Sequence, residues 1–221
     1  MHAVDRRSEL LTGWGNTMPS RADVATSSPA DVAAVVAGVG PRGVVARGLG
    51  RSYGDAAQNG GGTVLRLDDH HLWLDADAGT VRVAAGTSID HLLREIVPHG
   101  FFVPVTAGTR HVTVGGAIAS DVHGKNHHVD GSFGSHVRSL RLLLADGEIV
   151  DLSPGSRPEL FWATVGGMGL TGLILEATVA LLPVETSRVR VEATRVDHLD
   201  DLLAAMEEGD HRYRYSVAWV D

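Results

Sequence analysis

A short apolar run, Gly43-Val44-Val45-Ala46-Arg47, leads straight into Gly48-Leu49-Gly50, and a few residues later the chain reads Gln58-Asn59-Gly60-Gly61-Gly62. Together these segments constrain the fold more than anything else in the sequence. A buried strand entering Gly-x-Gly opens the dinucleotide-binding turn of a doubly wound parallel sheet. That turn needs a helix at once, because the helix N-terminus holds the pyrophosphate. Consecutive glycines, each costing about 1 kcal/mol in a helix interior, deny it one. A second strand, Thr63-Val64-Leu65-Arg66-Leu67, follows instead. The loop keeps one ability of its own: backbone N–H groups that can converge on an anion without a helix behind them.

The other unusual stretch is Pro104 to Gly134, PVTAGTRHVTVGGAIASDVHGKNHHVDGSFG, dense in glycine and histidine and nearly free of acidic side chains. Thr113-Val114-Gly115-Gly116 is too small-sided to build a core by itself. It offers room for a flat or anionic ligand to approach the backbone. His123, Lys125, His127 and His128 follow as a polar, partly cationic rim. His123 and His127 have i, i+4 metal-ligand spacing, but Gly124 stands where a zincin places its glutamate, so no metal site is read here.

Composition narrows the function. Glycine makes up 27 of 221 residues, well above the ~7% of average proteins. Its clustering in the loops just described points to ligand cradles. The formal net charge of −8 argues against nucleic-acid binding, for which a domain is usually basic. The absence of cysteine excludes disulfides, zinc–thiolate sites and thiol nucleophiles together. No apolar run approaches the ~20 residues that span a bilayer, and the N-terminus lacks a signal-peptide core, so a soluble protein is expected.

The remaining elements follow from periodicity. Residues 1–20 read as irregular. Ser28-Pro29-Ala30-Asp31 is a helix opening, with Ser as N-cap and Pro at the first position. Strands are expected at 72–74, 80–84, 137–144, 148–152 and 172–179, with an Asp146-Gly147 hairpin turn. Helices are expected at 88–96, with Ile89, Leu92, Leu93 and Ile96 on one face, and at 158–163, with Trp162 in the core. From Glu185 the pattern restarts: strand 187–195, acidic helix 197–208, strand 211–220. The fold class is α+β, with a domain over 1–184 and the beginning of another over 185–221.

With both glycine segments placed, the chain resembles the FAD-binding half of the vanillyl-alcohol-oxidase type (PCMH-type) flavoenzymes. The residues that carry this are Arg47 to Asp55, Ala85-Gly86-Thr87, Pro104, Thr113 to Gly116, His123-Gly124, Gly166 to Gly169 and Gly172. In that family the first loop and the Thr-Val-Gly-Gly segment hold the FAD pyrophosphate, and the later glycines contact the isoalloxazine. Leu11 to Gly15, His123 to His128 and Gly131 to Gly134 resemble those members that oxidise a hydroxyl of decaprenylphosphoryl ribose for cell-wall arabinan synthesis.

The resemblance implies an FAD-dependent oxidoreductase acting on a polyprenylphosphoryl sugar. An NADH-dependent reductase would complete the epimerisation, and the lipid substrate would bring peripheral membrane association. It implies cofactor contacts at Ala46, Arg47, Gly48, Leu49, Gly50, Arg51, Ser52, Tyr53, Gly54, Asp55, Ala56, Gly108, Thr113, Val114, Gly115, Gly116, Ser120, Asp121, Val122, His123 and Ile174. His123 and Lys125 would act in catalysis, and Lys125 and Trp219 would face the substrate. Arg51 stands where several relatives carry a tethering histidine, so non-covalent FAD is implied. Tyr53 either plugs a gap in its loop or stacks near the nucleotide.

Most of the family's substrate domain would lie past residue 221, so a complete oxidase is not expected of this stretch alone. Two other readings stay open. One is an aldonolactone- or alditol-type oxidase of the same family, and the other is an FAD-binding chain without activity of its own.

Overall fold

The computed structural model describes residues 5–28 and 31–220, so the expected Pro29-Ala30 helix opening lies outside the described residues. The first sheet contains β1 (Asp5–Leu11), β2 (Ser20–Ser27), β3 (Val44–Ala46) and β4 (Thr63–Leu67), in the spatial order β1-β2-β4-β3. β1 and β2 are antiparallel, while β4 runs parallel to both β2 and β3. Helix α1 (Val32–Ala37) connects β2 to β3 and buries Val32, Val35 and Val36. No helix lies between β3 and β4; Gly48 to Gly62 make the whole connection as loop and turn. β3 is an edge strand with Ala46 exposed, not the buried strand its sequence suggests.

The residues before 20, expected to be irregular, include β1, and β2 begins at Ser20. β1 reads DRRSELL, with no alternation of apolar and polar side chains. It is an edge strand, and its charges suit an edge that must not pair with another chain. Arg66 of β4 reaches Glu9 of β1 with paired contacts of 3.1 and 3.0 Å.

The second sheet begins with β5 (Leu72–Asp75) and β6 (Thr80–Ala84), which form a hairpin. Helix α2 (Ile89–Ile96) follows, with Ser88 Oγ accepting from His91 N as its cap. Burial of Ile89, Leu92 and Ile96 stabilises the fold by about 1.5–3 kcal/mol for each side chain. A two-residue strand β7 (Phe101–Phe102) and helix α3 (Val114–Ala119) come next, then the single turn of α4 (His127–Asp130). β8 (Val137–Leu143) and β9 (Ile149–Leu152) form a hairpin through Asp146-Gly147, with Asp146 Oδ1 accepting from Glu148 N.

Helix α5 (Pro158–Thr164) buries Phe161, but Trp162, expected in the core, is half exposed. β10 (Leu173–Ala180) then returns through the middle, giving the order β5-β6-β10-β8-β9, antiparallel throughout. β11 (Leu182–Pro183) pairs with β7.

The main core lies between this sheet and helices α2, α3 and α5. A smaller cluster of Ala25, Val32, Val35, Leu65, Leu143, Leu173 and Leu175 joins the two sheets. One mixed and one antiparallel sheet with helices packed on them make the α+β class expected from the sequence.

Past β11 the expectations fare unevenly. The acidic helix is present as α6 (Leu199–Gly209). Neither 187–195 nor 211–220 forms a strand. Val189 and Val191 alternate as a strand would, yet no partner strand lies beside them among the described residues, and both stay about three-quarters exposed. Residues 210–219 dock through other contacts, described below. No helix among the described residues is long and apolar enough to cross a membrane.

Candidate functional site

Three segments meet at one edge of the molecule. The turn after β3 brings Gly48 so close to α3 that a Cβ on Gly48 would stand 2.4 Å from Thr113 Oγ1. Thr113 caps α3, accepting from Gly116 N at 3.1 Å. The strand end Ala85-Gly86-Thr87 completes the junction, with Val114 N donating to Thr87 O and Gly115 N to Ala85 O, both at 2.9 Å. Between them opens a cleft of about 310 Å³.

The cleft is lined by Ala46, Arg47, Gly48, Leu49, Ser52, Ala56, Thr113, Gly115, Gly116, Ser120 and Ile174 from the residues proposed for cofactor contact. Gly50, Arg51, Tyr53, Gly54 and Asp55 belong to the same loop but do not line the cleft. Tyr53 is 79% exposed, so it plugs no gap. Val114 is fully buried behind the lining. Gly108, Asp121, Val122 and His123 also stand outside the cleft lining. Asp121 Oδ1 accepts from Gly134 N at 2.8 Å, which fastens the bend after α3.

Periodicity and motif spacing missed part of the lining: Thr26, Ala57, Leu65, Arg66, Leu67, Asp68, His70 and Ala119. Most of these flank β4, whose side chains looked like ordinary sheet residues. The polar run Asp68-Asp69-His70-His71 directly after β4 was the available signal.

Donors and charge at this edge suit an anion. Across Gly48 to Gly54 no backbone N–H donates to a protein acceptor among the described residues. Successive free N–H groups in a turn form an anion-binding concavity. Arg47 and Arg66 add cationic charge to the wall. The Arg47 guanidinium is held below its ordinary pKa by burial first and by Arg66 second, against an opposing pull from Glu9. It donates to Thr12 O at 2.7 Å and Ala57 O at 3.0 Å, so it also straps the loop in place.

The α3 N-terminus contributes differently. Its first N–H groups are engaged by Thr87, Ala85 and Thr113. Gly116 therefore offers surface more than donors: a Cβ there would meet only its own cap, Thr113 Oγ1, and would otherwise fill the cleft.

A second set of residues lies outside the cleft lining. His123 forms a bridge with Ser132 and packs its ring against His127, centroids 5.6 Å apart and edge-on. His127 and His128 lie on the single-turn helix α4. Lys125 Nζ sits 5.8 Å from the centroid of the Trp219 ring, and Lys125 O accepts from Ser216 N at 3.0 Å. The residues proposed to face substrate are thus brought together, in a segment fastened to α4 by Arg214 on Asp130.

Residues 20–153 match the FAD binding domain family, and the chain belongs to that family. It is 51% identical over 222 residues, 97% of this chain, to decaprenylphosphoryl-beta-D-ribose oxidase of Mycolicibacterium smegmatis, of which it covers 48%. It is 32% identical over 180 residues, 80% of the chain, to an alditol oxidase of a Streptomyces species, covering 43% of that protein. A cytokinin dehydrogenase 4 of Oryza sativa subsp. japonica is 32% identical over 172 residues, 71% of the chain and 32% of that protein. The chain therefore spans about half or less of the length of these curated relatives.

FAD is the cofactor of this chain. The residues present fit it: a loop with free backbone donors beside Arg47 that suits an anion, and an open wall at Gly116 that a side chain would fill.

Proposed function

We propose that this chain is the flavin-binding half of an oxidase that converts a hydroxyl of decaprenylphosphoryl ribose to a ketone in cell-wall arabinan precursor synthesis. The observation that supports it most is the 51% identity over 97% of the chain to a decaprenylphosphoryl-beta-D-ribose oxidase. The bound FAD supplies a two-electron acceptor for the hydride that leaves the sugar carbon. The chain's own residues bind and orient. The Gly48–Gly54 loop with Arg47 would hold the cofactor pyrophosphate, and Gly116 and Ile174 would line the wall beside it. No covalent bond to the protein is involved.

Lys125 offers a compact cation with three donors, suited to a phosphate oxygen or a sugar hydroxyl. The Trp219 ring stands beside it, its centroid 5.8 Å from Nζ. His123 places an imidazole on the same rim, able to accept a proton at a ring nitrogen as the sugar hydroxyl becomes a carbonyl. The keto product requires a reductase that returns hydride from a nicotinamide, and the polyprenyl tail requires contact with a membrane surface.

The test is anaerobic mixing of an FAD-loaded oxidase that contains this half together with its substrate half, with decaprenylphosphoryl ribose in micelles and, separately, with a free alditol. Flavin absorbance and tryptophan emission are followed together, with Trp219→Phe as the emission control. The ribose lipid should perturb Trp219 emission and bleach the flavin, and the alditol should do neither. Bleaching by the alditol alone overturns the substrate assignment. Emission indifferent to the lipid overturns the roles of Lys125 and Trp219.

A further inference from the structure

His71 stands between two carboxylates. Its Nδ1 lies 2.9 and 2.8 Å from the oxygens of Asp69, and its Nε2 lies 2.7 Å from Glu176 Oε2. Asp69 is in the connector between β4 and β5, whereas Glu176 is on β10, across the sheet. A neutral imidazole carries one N–H, so one of its nitrogens would turn a lone pair toward a carboxylate oxygen. Only the imidazolium donates on both sides. Arg82 of β6 approaches Glu176 at 3.9 Å, so the two carboxylates face two cations. Trp73 of β5 packs on the His71 ring at 5.6 Å and is itself covered by Arg82.

This cluster is coupled to the cofactor cleft by backbone. Asp68 and His70, the neighbours of Asp69 and His71, line the cleft, as does Ile174 near Glu176 on β10. The connector presses on Gly86, another lining residue: a Cβ on Gly86 would lie 2.6 Å from Leu67 O and 3.0 Å from Asp69 O. Ala84 N donates to His71 O at 3.0 Å, and Ala85 N to Leu175 O at 2.9 Å, so the connector, β6 and β10 are held together at this point. Only the Glu176 contact crosses to β10; the Asp69 contact, made within the connector, fixes the ring so that Nε2 faces Glu176.

We infer that His71 is a positioning residue for the cofactor: in its doubly protonated form it clamps the Asp68–His71 edge of the cleft to β10, so FAD binding favours the protein in which His71 carries its proton. Burial pulls the His71 pKa down, but the hydrogen bonds to Glu176 and Asp69 outweigh it and leave the pKa raised. The clamp is therefore complete below the ordinary histidine pKa and opens as pH rises through the raised one. By reciprocity, bound FAD must make the proton harder to remove.

The experiment is FAD titration of the protein by flavin fluorescence from about pH 5.5 to about pH 9, through the range where a histidine changes charge. The dissociation constant should rise about tenfold across that range, the equivalent of one pKa unit of coupling. His71→Gln should bind at the parent's alkaline affinity at every pH. His70→Asn, which removes the other histidine at the cleft, should keep the parent's slope. A flat parent profile, or the same slope in His71→Gln, overturns the inference. Should His71→Gln not fold, NMR titration of the His71 ring in the parent decides instead. A higher midpoint with FAD than without it supports the clamp, and equal midpoints refute it.

Discussion

Arg214 grips Asp130 with both arms of its guanidinium, Nε to Oδ2 at 2.8 Å and Nη2 to Oδ1 at 2.7 Å, across 84 positions of sequence. Paired geometry of this kind is the strong form of the ion pair. Asp130 is in turn held by Asn126, whose Nδ2 also donates to Pro104 O at 2.7 Å from a fully buried side chain. His128 Nε2 adds a contact to Tyr213 O at 3.0 Å. The run after α6 is thus fastened to α4 from several sides. The Lys125–Trp219 pair is a consequence of that fastening.

The Asp130 carboxyl is held below its ordinary pKa, chiefly by its hydrogen bonds with Arg214. A depressed folded value means stability that is present above the unfolded carboxyl pKa and lost as pH falls through the folded one. Asp130→Asn should cost about 1–2 kcal/mol at neutral pH, since Arg214 is partly exposed and the pair is partly screened. The gap from the parent should close below about pH 4. Urea denaturation of both proteins at neutral and acid pH checks this, and a gap that ignores pH would refute it.

The FAD should leave on denaturation. Arg51 donates its Nε to His111 O at 3.2 Å and lies over the Trp14 ring at 4.3 Å. A guanidinium that stays protonated is no nucleophile. Acid precipitation of the loaded protein should release all yellow colour to the supernatant; colour retained in the washed pellet would contradict non-covalent binding.

Arg47→Lys tests the strap on the cleft loop. The guanidinium reaches Thr12 O and Ala57 O together, whereas a lysine head group is a point donor that cannot span both in that fixed geometry. Loss of one charged hydrogen bond should lower stability by about 1.5–3 kcal/mol. FAD affinity should fall with it because the loop donors lose their alignment. Denaturation and FAD titration on the same preparation measure both, and unchanged values in each would remove Arg47 from this role.

Local chemistry made much of the fold legible. The helix from Ser88 starts where its sequence places it, and the apolar strands β4, β6 and β10 fall where alternation or apolar runs put them. What stayed hidden depended on partners elsewhere in the chain. The charged strand β1 forms only because β2 lies beside it. The alternating run Tyr213, Tyr215, Val217, Trp219 lacks such a neighbour and docks through Arg214 and Ser216 instead. At α5 the helix buries Phe161 and exposes Trp162, a choice of face that two adjacent aromatics cannot announce. The glycine loops of the cleft could be read because close approach demands glycine. The Asp68–His71 edge could not, because its role comes from contacts with Gly86 and Glu176 across the fold.

Gly115 and Gly116 are adjacent and alike in sequence, yet their substitutions should separate folding from cofactor binding. A Cβ on Gly115 would meet the Ala85 Cβ at 2.9 Å and Ala85 O at 3.2 Å, atoms of a strand end that cannot retreat easily. Gly115→Val should therefore weaken the α3–β6 junction and the fold along with FAD binding. Overpacking of this kind typically costs about 1–3 kcal/mol. A Cβ on Gly116 would meet nothing but Thr113 Oγ1 at 3.1 Å and would project into the cleft. Gly116→Val should leave circular dichroism unchanged and the unfolding free energy within about 1 kcal/mol of the parent, since valine has no worse helix propensity than glycine, while abolishing measurable FAD binding. FAD bound by Gly116→Val as tightly as by the parent would mean that the cofactor does not lie against α3.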